Sequence, residues 1–451
     1  MNNIINKIKF FFFEGDKRSV LAKRNILQTF LIRVISVPIS FILVPLTMNY
    51  VDTDSYGIWI TISSMVAWMS FFDIGINGGL RNKLTESIAE GNVLLSKKYV
   101  STTYAILTII SLIILVLFII INFFLDWSLI LNTSPKLSDE LSKVTLIVFG
   151  YFGFKFVLST INTILMSYQL PAEASFRGLI EQVSSLLVIF LLTKFTSGSL
   201  LNLALGLCIA PLLVLIYFNF ALFYGKLKSI SPSFRFVDFS LKKDLMAVGF
   251  KFFIIQIAGI IQFQTANFII IQSFGPEDVT IYNVVFKYFS ILTMIMAILI
   301  TPIWSAVTEA YAKNDFDWIV RIERKYRNIA YGIIGLGLLM LVLSPYIYEI
   351  WLGKVKIRIS LYTSLWMFIF TSIGLLGSIY CHILNGISVL NIQYKASIVS
   401  PILFVFSCYI LMNYLDMGIN AVIISSIIAN FNGFILAPLQ YRQIFIGLKN
   451  R

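Results

Sequence analysis

Charge is scarce in this sequence. Asp, Glu, Lys and Arg make up 13% of the 451 residues, while 58% are hydrophobic. A soluble domain carries about twice that charged fraction, roughly 25%, so the soluble class is excluded and the polytopic membrane class remains. Histidine occurs once, His382, and the three cysteines are Cys208, Cys381 and Cys408; all four sit in apolar runs. So few groups, so spaced, make neither a metal site nor a disulfide framework, and buried packing is their expected role. There is no Walker loop, dinucleotide fingerprint, zinc-spaced ligand set or Ser/His/Asp arrangement. No cofactor or metal is therefore expected, and the chain cannot hydrolyse ATP by itself. Acid is scarcer than base, 22 residues against 35, for a net charge of +13. The basic residues fall in separate short clusters, which argues against a nucleic-acid partner and makes the charge a topology signal.

What the chain has in abundance is long apolar runs. A hydrocarbon core of about 30 Å takes roughly 20 helical residues to cross. On that rule twelve spans are expected, near 25–49, 56–76, 100–125, 143–168, 176–195, 200–224, 245–273, 280–304, 328–350, 361–385, 391–413 and 418–441. With the N-terminus inside, the inner segments and adjoining helix ends hold 25 of the 35 Lys and Arg and the outer ones 6. That bias places both termini in the cytoplasm. Its exception is the outer loop with Lys354, Lys356 and Arg358. Residues 1–24 carry six cations around the Phe10–Phe13 patch, which is too short for a signal-peptide core. They read as a basic segment on the inner membrane surface. Residues 225–244 are the longest inner connection and 442–451 a cytoplasmic tail, which leaves six-helix bundles at 25–224 and 245–441.

The two halves agree in pattern. Asp52-Thr-Asp54-Ser-Tyr56 opens span two, and Pro276-Glu277-Asp278-Val-Thr-Ile-Tyr282 opens span eight. Thr85-Glu86-Ser-Ile-Ala-Glu-Gly-Asn92 at the exit of span two is echoed by Thr308-Glu309-Ala-Tyr-Ala-Lys-Asn-Asp315. An even number of spans per half implies parallel repeats about an axis along the membrane normal, with a cavity between them. Pro38 and Pro45, two turns apart in span one, are candidate bending points.

An ionisable side chain near the membrane centre costs roughly 2.5–3.5 kcal/mol and is by default a functional candidate. Lys155 lies mid-span, and Ser159 and Asn162 continue its stripe at helical spacing. Arg33, Lys251 and Lys287 lie nearer span ends, where snorkelling competes with a cavity role. The clearest carboxylates are Asp73, which could instead cap a helix or pair with Arg81, and Glu181, which could instead pair with Arg177. Either could couple an ion or balance a cation. The excess of cations suits an anionic cargo. Gln256, Gln264 and Asn267 share about 80° of one helix face. Amides both donate and accept, as sugar hydroxyls require; packing between helices is the competing role.

At Asp73-Ile-Gly75-Ile-Asn-Gly-Gly79-Leu-Arg81-Asn82, with Ala89-Glu90-Gly91-Asn92 after it, the chain resembles the O-antigen and polysaccharide flippases. Arg24-Asn25-Ile-Leu-Gln28, Tyr56-Gly57-Ile-Trp59 and Pro302-Ile-Trp304 fit the same pattern. The resemblance implies the multidrug/oligosaccharidyl-lipid/polysaccharide exporter superfamily, an all-α V-shaped pair of bundles. It implies an undecaprenyl-pyrophosphate-linked oligosaccharide flipped from the inner to the outer leaflet of a bacterial cytoplasmic membrane by alternating access. The pyrophosphate would meet the cations and the glycan the amides. Membrane lipids, a polysaccharide polymerase and chain-length machinery are the implied partners. Two alternatives stand beside it: an ion-coupled multidrug exporter of the same fold, against which the cations argue, and a membrane polymerase, against which the short outer loops argue.

Overall fold

The computed structural model describes residues 17–73, 75–246, 264–300, 303, 307, 310–311, 314–353, 357–387, 389 and 391–449. Among them there is no strand. The helices are α1 (Lys17–Val51), α2 (Thr53–Ala67), α3 (Ile76–Ala89), α4 (Val93–Asn122), α5 (Ser138–Leu158), α6 (Thr160–Ser167), α7 (Pro171–Phe195) and α8 (Leu200–Tyr224). They continue as α9 (Pro276–Ile300), α10 (Phe316–Leu352), α11 (Leu361–Gly386), α12 (Asn391–Asn413), α13 (Asn420–Ala429) and α14 (Ala437–Lys449). Among the described residues nine helices are long and apolar enough to cross a membrane. A tenth candidate is the pair Asn420–Ala429 and Asn432–Phe445, bent by 42° at its break, which passes the same test as a broken span or a re-entrant loop. The chain is a multi-pass membrane protein.

Two of the twelve expected spans are not among these. The second is helical for only fifteen residues, Thr53–Ala67, before it tightens into the 3₁₀ turn Trp68–Asp73. The seventh lies mostly outside the described residues, as do Thr308, Glu309, Lys354 and Lys356. Span four is broken at Ser159, between α5 and α6. The polar exit after Asp73 is itself a helix, α3, entered through Gly75 at φ 74°, a left-handed conformation that glycine adopts without penalty. Gln28 to Val51 runs on through Pro38 and Pro45 without leaving the helix.

By contacts, the described residues fall in two units, one within Met1–Asp52, Met69–Ser128 and Ser134–Phe253, the other within Thr53–Trp68, Leu129–Thr133 and Ile254–Arg451. In the first, α1 packs on α7, α7 and α5 on α8, and α3 on α4 and α6. Its core joins Leu80, Leu84, Val100, Ile161, Ile164 and Leu215 to Leu227, Ile230 and Leu245 of the connecting segment. Residues 225–244 are therefore strapped down. The Ser233 N–H donates to Ser101 Oγ at 3.1 Å, the Asp238 N–H to Thr102 Oγ1 at 2.9 Å, and Lys98 pairs with Asp238 at 3.1 Å.

In the second unit α2 packs on α9, and α9 and α10 on α11. Gly57 makes the first contact possible: a Cβ there would stand 1.9 Å from the Pro276 carbonyl oxygen. Thr280 Oγ1 donates to the Thr53 carbonyl at 2.7 Å beside it. Hence residues 53–68 group with the C-terminal helices, although they precede the 225–244 segment in sequence. The two helices whose openings match in sequence pack against each other. The last span crosses α11 closely as well, since a Cβ at Gly377 would meet Gly433 backbone at 2.8 Å.

Candidate functional site

Lys155 sits on α5, half-buried, with its ammonium 5.4 Å from the centre of the Tyr151 ring. Four residues on, the helix breaks at Ser159, whose hydroxyl turns back to the Phe156 carbonyl at 3.2 Å. The break carries Asn162, on α6, toward α7. There the Arg177 guanidinium donates through Nε to Asn162 Oδ1 at 2.9 Å and pairs through its terminal nitrogen with Glu181. Arg177 is only 7% exposed. The stripe of Lys155, Ser159 and Asn162 thus meets the Arg177–Glu181 pair of the neighbouring helix.

The charge balance of this cluster matters more than its hydrogen bonds. Glu181 lies within electrostatic reach of both Arg177 and Lys155, but its carboxylate is taken by Arg177. Two cations against one carboxylate leave one positive charge over. A buried guanidinium with a carboxylate at i+4 and an amide beside it is satisfied; the Lys155 ammonium, on its own stem, is the group left to meet an anion. Arg177 escaped the sequence reading as a site residue because it was taken only as the partner that neutralises Glu181.

The other predicted residues of this unit stand apart from the cluster. Arg33 is exposed on α1. Close by, Gln28, Leu31, Ile32, Ala172, Glu173 and Phe176 bound a mainly apolar recess of about 360 Å³. Asp73 closes the 3₁₀ turn, and its Oδ1 accepts from the backbone and side-chain amides of Asn77 at 3.1 and 3.2 Å. It caps the start of α3, one of the two structural roles weighed for it, while Arg81 remains exposed.

The second unit holds a recess of about 440 Å³ lined by Trp59, Ile60, Ser63, Ser64, Gln264, Asn267, Tyr282, Asn283 and Phe286. Asn267 is 6% exposed and both ends of its amide are engaged. Its Nδ2 donates to Ser64 Oγ at 2.6 Å, and its Oδ1 accepts from Asn283 Nδ2 at 2.7 Å. Ser64 passes its own proton to the Ile60 carbonyl at 2.9 Å, and Asn283 also donates to the Val279 carbonyl at 2.8 Å. The result is a neutral chain of hydrogen bonds linking α2, the helical residues 264–274 and α9. Gln264 lines the recess with no part in that chain. Lys287 lies half-buried one turn beyond Asn283, outside the lining. Lys251 and Gln256 fall outside the described residues. Sequence reasoning missed Asn283 and Ser64. Asn283 had a signal: it precedes Lys287 by four residues, on one face.

Among the described residues no group of His, Cys, Asp and Glu is arranged to hold a metal. The described groups at these places are cations, amides and hydroxyls, which can bind and release a polar or anionic ligand.

Comparisons with known proteins place the chain among transporters and polysaccharide proteins in name and fold. Residues 22–308 match a family described as "Polysaccharide biosynthesis protein". A Yersinia pseudotuberculosis protein with the provisional name O-antigen export protein is 24% identical over 67% of this chain and 68% of its own. A Salmonella typhi protein provisionally named O-antigen transporter is 26% identical over 74% of this chain and 76% of its own. Among solved structures, an inward-facing multidrug resistance MATE family transporter of the MOP superfamily aligns with a TM-score of 0.68 at 15% identity, over 94% of this chain and 96% of that one. A MOP superfamily transporter from Pyrococcus furiosus, described by the reversed polarity of its binding pocket, aligns at 0.63 and 15%, over 97% and 98%. At such identities the likeness shows the fold alone, and the fold is that of these transporters.

Proposed function

The chain belongs to the polysaccharide biosynthesis protein family, and we propose that within it this protein flips an undecaprenyl-pyrophosphate-linked oligosaccharide from the inner to the outer leaflet of a bacterial cytoplasmic membrane. The family and the relatives' names make it a polysaccharide flippase or transporter; the lipid-linked cargo and the inner-to-outer direction are our reading. The observation that carries it is the uncompensated cation in the first unit. Lys155 stands beside a carboxylate already held by Arg177, and a lone ammonium is a point-charge partner for pyrophosphate. Arg33, on the same unit, is the second candidate for that headgroup, with Lys287 and Lys251 behind them. Ser159 and Asn162 shape the floor around Lys155. Gln264, on the recess of the second unit, is the amide best placed to meet glycan hydroxyls, with Gln256 on the same face. Asn267 holds helices together. Glu181 and Asp73 serve as charge partner and cap.

With no nucleotide fingerprint in the sequence, the free energy for uphill transport comes from an ion gradient, the membrane potential or the cargo's own gradient. Alternating access would move the bundles 25–224 and 245–441 against each other, with both termini cytoplasmic.

The test is a deletion strain complemented with wild-type or Lys155→Ala protein, scored for surface glycan and for lipid-linked intermediates. Complete repeat units accumulating on the carrier at the inner leaflet, with loss of surface glycan, support the reading. Normal surface glycan in the Lys155→Ala strain removes Lys155 from the site. Unchanged carrier lipids in the deletion strain sink the flippase itself.

A further inference from the structure

The outer flank of the first unit carries a groove that the transport reading does not use. It runs between α4, α5 and α8 and ends at Ser231 and Pro232 of the connecting segment, with a volume of about 550 Å³. Its walls are ring faces and aliphatic carbon: Tyr104, Phe154, Leu158, Ile216, Phe220 and Phe223. The polar groups beneath are closed on each other. Tyr104 Oη donates to Asn219 Oδ1 at 2.9 Å, and Asn219 Nδ2 donates to the Leu158 and Leu215 carbonyls at 3.1 and 2.9 Å. The groove's middle is therefore apolar, with the hydroxyl-bearing Tyr224 and Ser231 at its end toward the connecting segment.

Two observations say what covers it. First, the exposed stripe of α8 is Leu205, Ile209, Leu213, Tyr217, Phe220 and Tyr224, one side chain every three or four residues and none charged. Phe154 on α5 and Phe220 are 60% and 59% exposed at the groove's rim. Such a stripe on a spanning helix faces hydrocarbon. Second, the groove's mouth is basic. Lys228 and Arg235 lie three residues to either side of Ser231 and Pro232, are exposed, and enter no salt bridge among the described residues. Phe234, 97% exposed, and Tyr224, 77% exposed, stand beside them, as aromatic side chains do at the headgroup level. The segment that carries the cations is pinned to α4 by Ser101, Thr102 and Lys98, and its Ser231 and Pro232 line the groove's end.

We propose that this groove seats one acyl chain of an anionic phospholipid, whose phosphate meets Lys228 and Arg235. The groove's volume is about 550 Å³, and its apolar walls suit a fatty chain. The longer undecaprenyl chain would be held only in part. The site is independent of the cargo.

The experiment is native mass spectrometry of the full-length protein with phosphatidylglycerol or phosphatidylcholine of matched chains, and with undecaprenyl phosphate as competitor. One phosphatidylglycerol is expected to be retained in preference to phosphatidylcholine. Neutralising both exposed cations (Lys228→Gln with Arg235→Gln) should weaken phosphatidylglycerol by about 30-fold, the effect of two basic groups beside an anionic lipid, and leave phosphatidylcholine unchanged. Ile216→Trp, which fills the groove, should weaken both lipids. Equal retention of the two lipids by the wild-type chain overturns the proposal. So does phosphatidylglycerol binding that survives the double charge variant, or its displacement by an equal amount of undecaprenyl phosphate, which would give the groove to the carrier chain.

Discussion

The polar clusters described in the two units are built differently. The first keeps charges: Arg177 and Glu181 neutralise each other, Asn162 Oδ1 accepts from the guanidinium Nε, and Lys155 is left over. The second, among its described residues, links neutral amides and a hydroxyl, Asn283 to Asn267 to Ser64, with Gln264 unengaged at their side. A surplus charge recognises an opposite charge, whereas a closed chain of amides holds helices. On the function proposed above, headgroup recognition would fall mainly to the first unit and helix positioning, with glycan contact at Gln264, to the second.

The largest effect that would break this comparison is on Arg177. Arg177→Ala leaves Glu181 buried without its partner and Asn162 without its donor. Breaking a buried pair costs about 3–5 kcal/mol, so the melting temperature in detergent should fall by many degrees. An unchanged melting temperature would mean that the pair is not structural. Next comes Lys155→Ala, which removes a charge that enters no salt bridge among the described residues. Its expected loss is about 1.5–3 kcal/mol of headgroup interaction, roughly 10- to 100-fold in transport, with little change in melting temperature. Equal losses of transport and stability would merge Lys155 with the Arg177 pair.

Two smaller effects sharpen the second unit's side. Gly57→Ala puts a methyl group into the Pro276 carbonyl; overpacking of this kind costs about 1–3 kcal/mol. The control is Gly78→Ala, where nothing lies within 4 Å and a helix interior gains about 0.5–1 kcal/mol. Opposite shifts in melting temperature are expected, and matching shifts would deny the close approach. Asn267→Ala should lower stability by about 0.6–1.7 kcal/mol, the range of membrane hydrogen bonds between helices. Gln264→Ala should leave stability alone and reduce transport of the sugar-bearing cargo. If the two variants exchange phenotypes, the roles of the two amides are exchanged as well.

Much of this arrangement was legible in the sequence. Hydropathy finds spans because lipid leaves a helix no other way to satisfy its backbone, and nine of them stand by length and apolarity among the described residues. The helical spacing of Lys155, Ser159 and Asn162 put one face of span four at a site. What could not be read is what meets that face. Glu181 read as an ion-coupling group or charge partner, or by the i, i+4 rule as a partner of Arg177; the rule was right about the pair, but a pair inside one helix says nothing of Asn162 on another. Likewise periodicity placed Asn267 on a polar face, while its partners Ser64 and Asn283 come from other helices. Gly57 read only as part of a helix opening. Its use, the close approach of α2 to Pro276, is a property of two segments more than 200 residues apart. A short 3₁₀ ending on the second span left no composition signal at all.

The smallest effect belongs to the connecting segment, which carries the first unit's charge logic out of the membrane. Asp238 there is held by the Ser240 hydroxyl at 2.6 Å, by Lys98 at 3.1 Å and by the Ser240 N–H at 3.2 Å. These bonds favour the ionised form, and the Asp238 carboxyl lies below the usual carboxylate range, first through Ser240 and then through Lys98. A carboxylate whose folded pKa is depressed stabilises the fold fully above its unfolded value, about 3.9. It loses that contribution as the pH falls through the lower folded value. The strap on Ser101 and Thr102 should therefore stay closed at neutral pH and down to about pH 4, and open only in stronger acid. Hydrogen exchange of the Ser233 and Asp238 amides reads this directly, since each is bonded to a hydroxyl of α4. Lower protection, relative to the intrinsic exchange rate at each pH, is expected in strong acid and is reproduced at neutral pH by Asp238→Asn. Protection that is independent of both would leave the buried Leu227, Ile230 and Leu245 as what holds the segment, and would separate its position from the charge at its surface.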